Sequence, residues 1–415
     1  MATPKIRLKG FEGEWKEIQS GSLFHPLKNN SLPRAELSNA GSIMNIHYGD
    51  ILIKYSECVD TSKETIPFVE NQEIAESLYK SCSINNGDII FADAAEDETV
   101  GKCVEIIANE QDKIVSGLHT IACRPSMKFA TGYLGYYLNS PVFHDQLLPQ
   151  IQGTKISSIS RKAINNSSIY YPSIKEQKAI ASYFRSLDNL IQTTAKKIES
   201  LKQMKAASLI SMFPQEGETT PKVRFKGFEG EWKEVSFKDI TYLSGIKNRD
   251  NLPMESYSIS NELGFIPQNE QFENGGTMSQ ANKTMYYIVS PDSFAYNPAR
   301  INVGSIGYYN LQKDVIVSSL YVVFKTDDET YNPFLYIWFK SPMFNKLITL
   351  YQEGGVRLYF FYDKLCACKF RRPCFEEQQA IASYFTNLEN QISLHTQRLE
   401  KIKNIKAECL NKMFV

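Results

Sequence analysis

Two stretches of the chain carry apolar residues at alternating spacings of three and four. The first runs through Phe184, Leu187, Ile191, Ile198 and Leu201, with Thr194, Lys205, Ser208 and Met212 in the same frame. The second runs through Phe385, Leu388, Ile392, Leu399 and Ile402, with His395, Lys406, Cys409 and Met413. This alternation is the seam of a heptad coiled coil. No Pro or Gly interrupts either stretch, so each predicts a helix of about 40 residues, or about 60 Å at 1.5 Å per residue. Pro172 and Pro373 keep the chain ahead of each helix extended. The seam turns polar at matching places, Thr194 and His395, which sets register at some cost in stability. Outside the helices the pattern changes to short β-like runs. They are Asp50–Ile53, Asp88–Phe91, Val104–Ile107, Val315–Val317 and Tyr321–Phe324, punctuated by Gly, Asn, Asp and Pro. Mixed α/β (α+β) bodies with a small sheet are expected.

The helices belong to a larger repetition. Pro4–Ile18 reads PKIRLKGFEGEWKEI and Pro221–Val235 reads PKVRFKGFEGEWKEV, identical at twelve of fifteen positions with an offset of 217. Glu176–Ile191 and Glu377–Ile392 match at eleven of sixteen positions, with an offset of 201 that holds from Ser140/Ser341 to Phe213/Phe414. A period near 200 means duplicated domains rather than a solenoid. The predicted domains are a body over 1–171, a helix over 172–213, a polar linker over 214–220, a second body over 221–372 and a second helix over 373–415. Two like helices with one seam should pack antiparallel about a pseudo-two-fold axis, with a body at either end. The frame is constant and the interior varies, as a pair of recognition modules would require.

Composition narrows the classes. In 415 residues the 46 basic and 46 acidic side chains cancel. The first body carries 16 basic against 20 acidic residues, and the first helix 7 against 3. A protein that gripped DNA alone would carry a basic excess, because phosphate neutralisation supplies most non-specific affinity. Any DNA reader built this way leans on basic partners. No apolar run is long enough to cross a membrane and no secretory leader opens the chain, so a cytoplasmic protein with no membrane partner is expected. The eight cysteines form no CxxC pair and do not recur with the repeat, which argues for reduced thiols and no metal site.

The doubled motif is specific. Pro172, Glu176-Gln177 and Ile180-Ala181 open the first helix; Pro373, Glu377-Gln378 and Ile381-Ala382 open the second. This resembles the specificity subunit of type I restriction-modification systems. The segments ending in Trp15 and Trp232, and the run Asn297–Gly307, resemble the same family's target-recognition domains. The resemblance implies a non-catalytic subunit with two target-recognition domains on a coiled-coil spacer. Each domain would read half of a bipartite double-stranded DNA site, and the helices would set the gap. It also implies two modification (methyltransferase) subunits carrying S-adenosylmethionine, and restriction (translocase/endonuclease) subunits, with no cofactor on this chain. The first body departs from the pattern, because its Gly101-Lys102 region lacks the GSIG run.

A shared frame cannot encode two different half-sites, so DNA contacts must come from the divergent bodies. Arg and Lys suit guanine; Asn and Gln suit adenine. The candidates are Lys155, Arg161 and Lys162 in the first body, and Lys247, Asn248, Arg249, Asn297, Arg300, Arg357 and Tyr359 in the second. Gly153 and Gly354 suit a turn. Phe11, Trp15, Phe228 and Trp232 suit packing of each lead segment onto its own domain. Asn297-Pro298-Ala299-Arg300 lacks the second Pro and the aromatic of an adenine methyltransferase, and no glycine-rich cofactor loop precedes it. A coiled-coil scaffold that never binds DNA and, more remotely, a methylating enzyme remain the alternative classes at this point.

Overall fold

The computed structural model describes residues 3–153, 155–271 and 282–415. The chain divides into two compact units, residues 1–195 with 397–415, and residues 196–396. Both long helices form, over Ile174–Ser211 and Phe375–Lys412, and each contributes residues to both units.

Each unit holds a central sheet built on one plan. In the first unit the strand order is Phe24–Pro26, Thr120–Pro125, Ile89–Ala92, Cys103–Ile107, Cys58–Asp60. In the second it is Thr241–Leu243, Val322–Thr326, Ser293–Tyr296, Ile306–Tyr309. A second sheet in each unit contains a parallel pair, Met44–Ile46 with Ile114–Ser116, and Ser256–Ser260 with Val315–Val317. The central strand is buried on both faces. Ile89 and Phe91 join the core shared with the long helices, while Ile90 and Ala92 join the core against the second sheet. Phe294 and Tyr296 divide from Ala295 in the same way. A strand sandwiched between two cores needs apolar residues at every position, which is why these runs show no alternation.

One β-like run is corrected. Asp50–Ile53 lies in a helix, Tyr48–Ile53. The His47 side chain accepts the Gly49 N–H at its start, and buried Asp50 meets Arg34 at 2.5 Å. Ile51 is fully buried while Ile53 is 89% exposed, a split that a strand would not produce for residues two apart. A four-residue apolar run cannot by itself separate the two structures.

The helix heads explain the doubled motif. Glu176 and Glu377 are buried, and each receives a two-pronged arginine from the lead segment: Arg7 at 2.8 and 2.8 Å, Arg224 at 2.7 and 2.7 Å. The same guanidinium groups donate to the carbonyls of Glu12 and Gly13, and of Glu229 and Gly230, folding the Gly-Phe-Glu-Gly turn. The carboxylates raise the pKa of both arginines, chiefly through these hydrogen bonds. Gln177 accepts the Ala130 N–H and donates to the Pro172 carbonyl; Gln378 accepts the Tyr331 N–H and donates to the Pro373 and Glu329 carbonyls. Each head therefore ties a lead segment, a body loop and the chain before the helix into one joint.

Within each unit the two long helices run antiparallel. In the first, Tyr183 meets Cys409 at 3.5 Å, and Lys406 reaches Asp188 and Glu57, each at 2.6 Å. In the second, Tyr384 meets Ser208 at 2.9 Å and Lys205 reaches Glu389 at 2.7 Å. These are the same positions shifted by 201. Of the seam residues, Phe184, Leu187, Ile198, Leu201, Phe385, Leu388 and Ile402 are buried, and Ile191, Ile392 and Leu399 are half-buried. The last turn of each helix seats the other half's lead segment. The Ile6 N–H donates to the Lys412 carbonyl and the Val223 N–H to the Ser211 carbonyl. Trp15 packs on Tyr133 and Phe414; Trp232 packs on Phe334 and Phe213. Phe11 and Phe228 are half-buried beside them in sequence.

Arg224→Ala leaves the buried Glu377 without its partner. The second unit should lose about 2–4 kcal/mol, less than the about 3–5 kcal/mol for breaking a fully buried pair, because the arginine is partly exposed. Urea unfolding followed by tryptophan fluorescence reads this, and an unchanged midpoint would show that the pair does not hold the head together. A second expectation concerns Glu105, which is 3% exposed and accepts the Gly132 and Gly135 N–H groups. Burial pushes its carboxyl up to about 7 from an ordinary 4.5, against the pull of those N–H groups. The folded state therefore holds a proton that the unfolded state releases. Its stabilising contribution is full below pH 4.5 and lost as pH rises through 7. Relative to wild type, Glu105→Gln should gain stability between those limits, by at most about 3 kcal/mol, and no further above them. A difference flat across that window would remove the assignment.

Candidate nucleic-acid interface

In the second unit a cleft of about 810 Å³ opens where the parallel pair ends. Its walls are Ser260–Glu262 after one strand, Ser318–Tyr321 after the other, Asn282 and Met285–Tyr286, and the Asn297–Arg300 turn. Asn297 Oδ1 accepts the Ala299 N–H, and the Asn297 N–H donates to the Ser305 carbonyl. That turn places exposed Arg300 on the cleft wall. Ser305 is buried, and its hydroxyl donates to the Ile259 carbonyl, joining the turn to the second sheet. Asn297 and Arg300, three residues apart in the sequence, are thus brought to one surface rich in hydrogen-bonding groups.

The other candidates of this unit divide. Asn248 is 1% exposed; its carboxamide accepts the Leu252 N–H and donates to the Leu252 carbonyl. Its backbone N–H bonds Tyr286 in the cleft wall. Asn248 therefore shapes the loop instead of presenting an edge to a base. Lys247 is half-buried beside it and Arg249 is exposed. Arg357 stands exposed on a hairpin closed by Glu353 and Tyr359, and Tyr359 stacks on Phe361 at 5.4 Å.

In the first unit Lys155 is exposed on the matching hairpin, closed by Gln152 and Ser158, and Lys162 is exposed on the short helix Arg161–Asn165. Arg161 is half-buried and its guanidinium donates to the Ala122 and Leu27 carbonyls, so it braces the central sheet. The residues that occupy the place of the second unit's cleft were not visible in the sequence. Leaving the parallel pair at the same ends are His47, Tyr48 and His119. The rings of His47 and Tyr48 lie 4.7 Å apart and those of Tyr48 and His119 5.2 Å apart. His119 Nδ1 lies 3.2 Å from Asp93 Oδ1. Burial lowers the pKa of His47, partly offset by Asp50. Residues 47 and 119 meet only through strand pairing, so no local pattern signals them.

Another depression in the first unit, about 700 Å³, is lined by Glu57, Asp97, Glu98 and Asp145 with Lys102 and His144. Its acidic walls repel phosphate. Among the described residues no group of His, Cys, Asp and Glu is placed to hold a metal ion, and all eight cysteines are free thiols. Among the same residues no helix is long and apolar enough to cross a membrane.

The sequence matches the type I restriction modification DNA specificity domain twice, over residues 12–203 and 229–404. A protein of Methanocaldococcus jannaschii provisionally named as the MjaX specificity subunit of a type I restriction enzyme is 24% identical over 334 residues, spanning 78% of this chain and 77% of its own length. The fold is similar to that of a type I restriction-modification S subunit from M. genitalium, with a TM-score of 0.56 at 14% identity over 100% of this chain and 99% of that one. A chain from a structural study of complex assembly and conformational transition in the type I system gives a TM-score of 0.52 at 15% identity, over 96% and 97%.

Asn248→Ala should unlatch the Leu252 loop and cost about 1–3 kcal/mol, because two backbone groups lose their partner in a buried place. Arg249→Ala should leave stability within about 0.5 kcal/mol. Chemical denaturation of the two variants checks the contrast; equal effects would contradict the latch.

Proposed function

The chain belongs to the type I restriction modification DNA specificity domain family, and we propose that it reads a bipartite double-stranded DNA site for a type I restriction-modification complex. Residues 1–171 and 221–372 serve as the two target-recognition domains, the helices over 172–213 and 373–415 as the spacer, and 214–220 as the linker between halves. The observation that carries this reading is the contrast inside the repeat. The arginine–glutamate pair of each helix head is duplicated bond for bond, while the loops at the mouth of each parallel pair differ in chemistry. A common frame suits a common partner on each half, and two different mouths suit two different half-sites.

In the second unit Arg300 presents a donor fork suited to guanine N7 and O6, and Asn297 a carboxamide suited to adenine. In the first, His119 held by Asp93 presents a ring edge, with Lys155 and Lys162 toward phosphate. Each 38-residue helix spans about 57 Å, enough to hold two readers more than one turn of B-DNA apart, about 34–36 Å. The zero net charge assigns much of the grip on phosphate to partners. Two modification subunits, carrying S-adenosylmethionine, would methylate adenines, and restriction subunits would join them; this chain supplies sequence and spacing and no reacting group.

Methylome sequencing of cells that express the chain with its modification subunit tests the reading. A split motif carrying methyladenine in both halves is expected. Arg300→Ala should relax or lose one half only, with discrimination falling by about 1–3 kcal/mol at one base pair. Loss spread equally over both halves, or no methylated split motif with the partner bound, would overturn it.

A further inference from the structure

The two hairpins whose turns Gly153 and Gly354 mark share one construction. One is closed by reciprocal hydrogen bonds between Gln152 and Ser158, at 3.0 and 2.8 Å; the other by the same pair between Glu353 and Tyr359, at 2.9 and 2.8 Å. Gly153 and Gly354 sit at φ +104° and +136°, where a side chain is strained. A Cβ at either would collide with the carbonyl oxygen across the turn, that of Ile156 or of Arg357. Both turns therefore require glycine at that position. Each hairpin is also bonded to the loop that follows its central strand. The Ile159 N–H donates to the Asp93 carbonyl and the Phe360 N–H to the Pro298 carbonyl, both at 2.9 Å. These are the loops that carry Asp93 and the Asn297–Arg300 turn.

What the tips present is apolar. Ile156 is 61% exposed, Val356 is fully exposed and Leu358 is 42% exposed. Beside them stand Lys155 and Arg357. A branched aliphatic residue held in water on a braced loop gains nothing within its own unit. Next to a cation, and next to a base-reading surface, it has the form of a wedge. Such residues enter between base steps and partly unstack them while the neighbouring cation holds phosphate.

We propose that the two hairpins are DNA wedges, Ile156 in the first unit and Val356 with Leu358 in the second, each unstacking a base step in or beside its own half-site. The proposal rests on the DNA-reading role given above and adds to it a deformation that discriminates sequences at steps no side chain reads. Pyrimidine–purine steps, the easiest to unstack, are favoured at those places.

The test uses the full chain assembled with its modification subunits, on duplexes of the motif that methylome sequencing supplies. 2-Aminopurine is placed at successive positions, leaving out the methylated adenines. Fluorescence should rise on binding at one step per half. Ile156→Ser should abolish the rise in the first half alone, and Val356→Ser with Leu358→Ser the rise in the second alone, with binding weakened roughly tenfold. Lys155→Ala and Arg357→Ala should each reduce the salt slope by about one and leave the fluorescence rise intact. All five positions are on exposed tips, so the variants fold. Bound DNA with no rise at any such position, or a rise that survives the tip substitutions, would overturn the wedge. So would protection of Ile156→Cys and Val356→Cys from thiol labelling, read by mass spectrometry, by the modification subunits without DNA, because the tips would then dock on protein. Failure of the reading role itself appears separately, as the absence of any methylated split motif.

Discussion

The structure depends on one joint made twice: a buried Glu-Gln pair at the head of each long helix, met by an arginine from the lead segment. A buried carboxylate is costly unless its oxygens are matched by a cation and by hydrogen bonds. Arg7 and Arg224 supply both and use their remaining donors to fold the turn that precedes the tryptophan. The adjacent glutamine spends its carboxamide on a body loop and on the proline carbonyl. Body, lead segment and helix are thus oriented at each joint by three polar side chains whose geometry tolerates little variation. This is a physical reason for the near-identity of these segments in the two halves.

The bodies are under a different constraint. Their central strands are pressed between two cores and need only be apolar and of suitable size, so Ile89–Ala92 and Ser293–Tyr296 differ while holding the same place. The loops at the ends of the parallel pair carry no packing duty shared by both halves. They are free to present His47, Tyr48 and His119 in one unit and Asn261 with Ser318–Tyr321 in the other, where the loop after the central strand adds Asn297 and Arg300. Recognition chemistry concentrates on such loops because the scaffold beneath them is stiff. Some groups of the right type are nonetheless spent on structure. Asn248 latches a loop and Arg161 braces a sheet, and exposure, not residue type, separates them from Arg249 and Lys162.

The long helices, their seam and the repetition were legible in the sequence because each is a local or periodic property. Hydrophobic spacing reports helix, and a repeated string reports a repeated joint. The resemblance to a family rested on those same residues. Asp50–Ile53 was misread because a short apolar run is compatible with strand or helix until a cap and an ion pair decide, and those came from His47 and from Arg34, sixteen residues away. Of the candidate residues, Arg300, Lys155 and Arg357 are exposed and Asn297 is half-buried on the cleft wall, as long polar side chains on turns allow. The first unit's His47–Tyr48–His119–Asp93 group was not legible, since its members lie up to 72 residues apart.

The sequence by itself determined that the protein is a duplicated frame on two heptad helices with divergent bodies, because periodicity and repetition need no partner to be expressed. The tertiary structure alone decided which polar residues face outward and which are consumed inside. It also decided that each hairpin is bonded to the loop after its central strand, and that each lead segment rests on the end of the other half's helix. Those outcomes depend on strand pairing and helix packing between residues far apart in the chain. Only when such pairs close does burial assign each hydrogen-bonding group either to the fold or to a ligand.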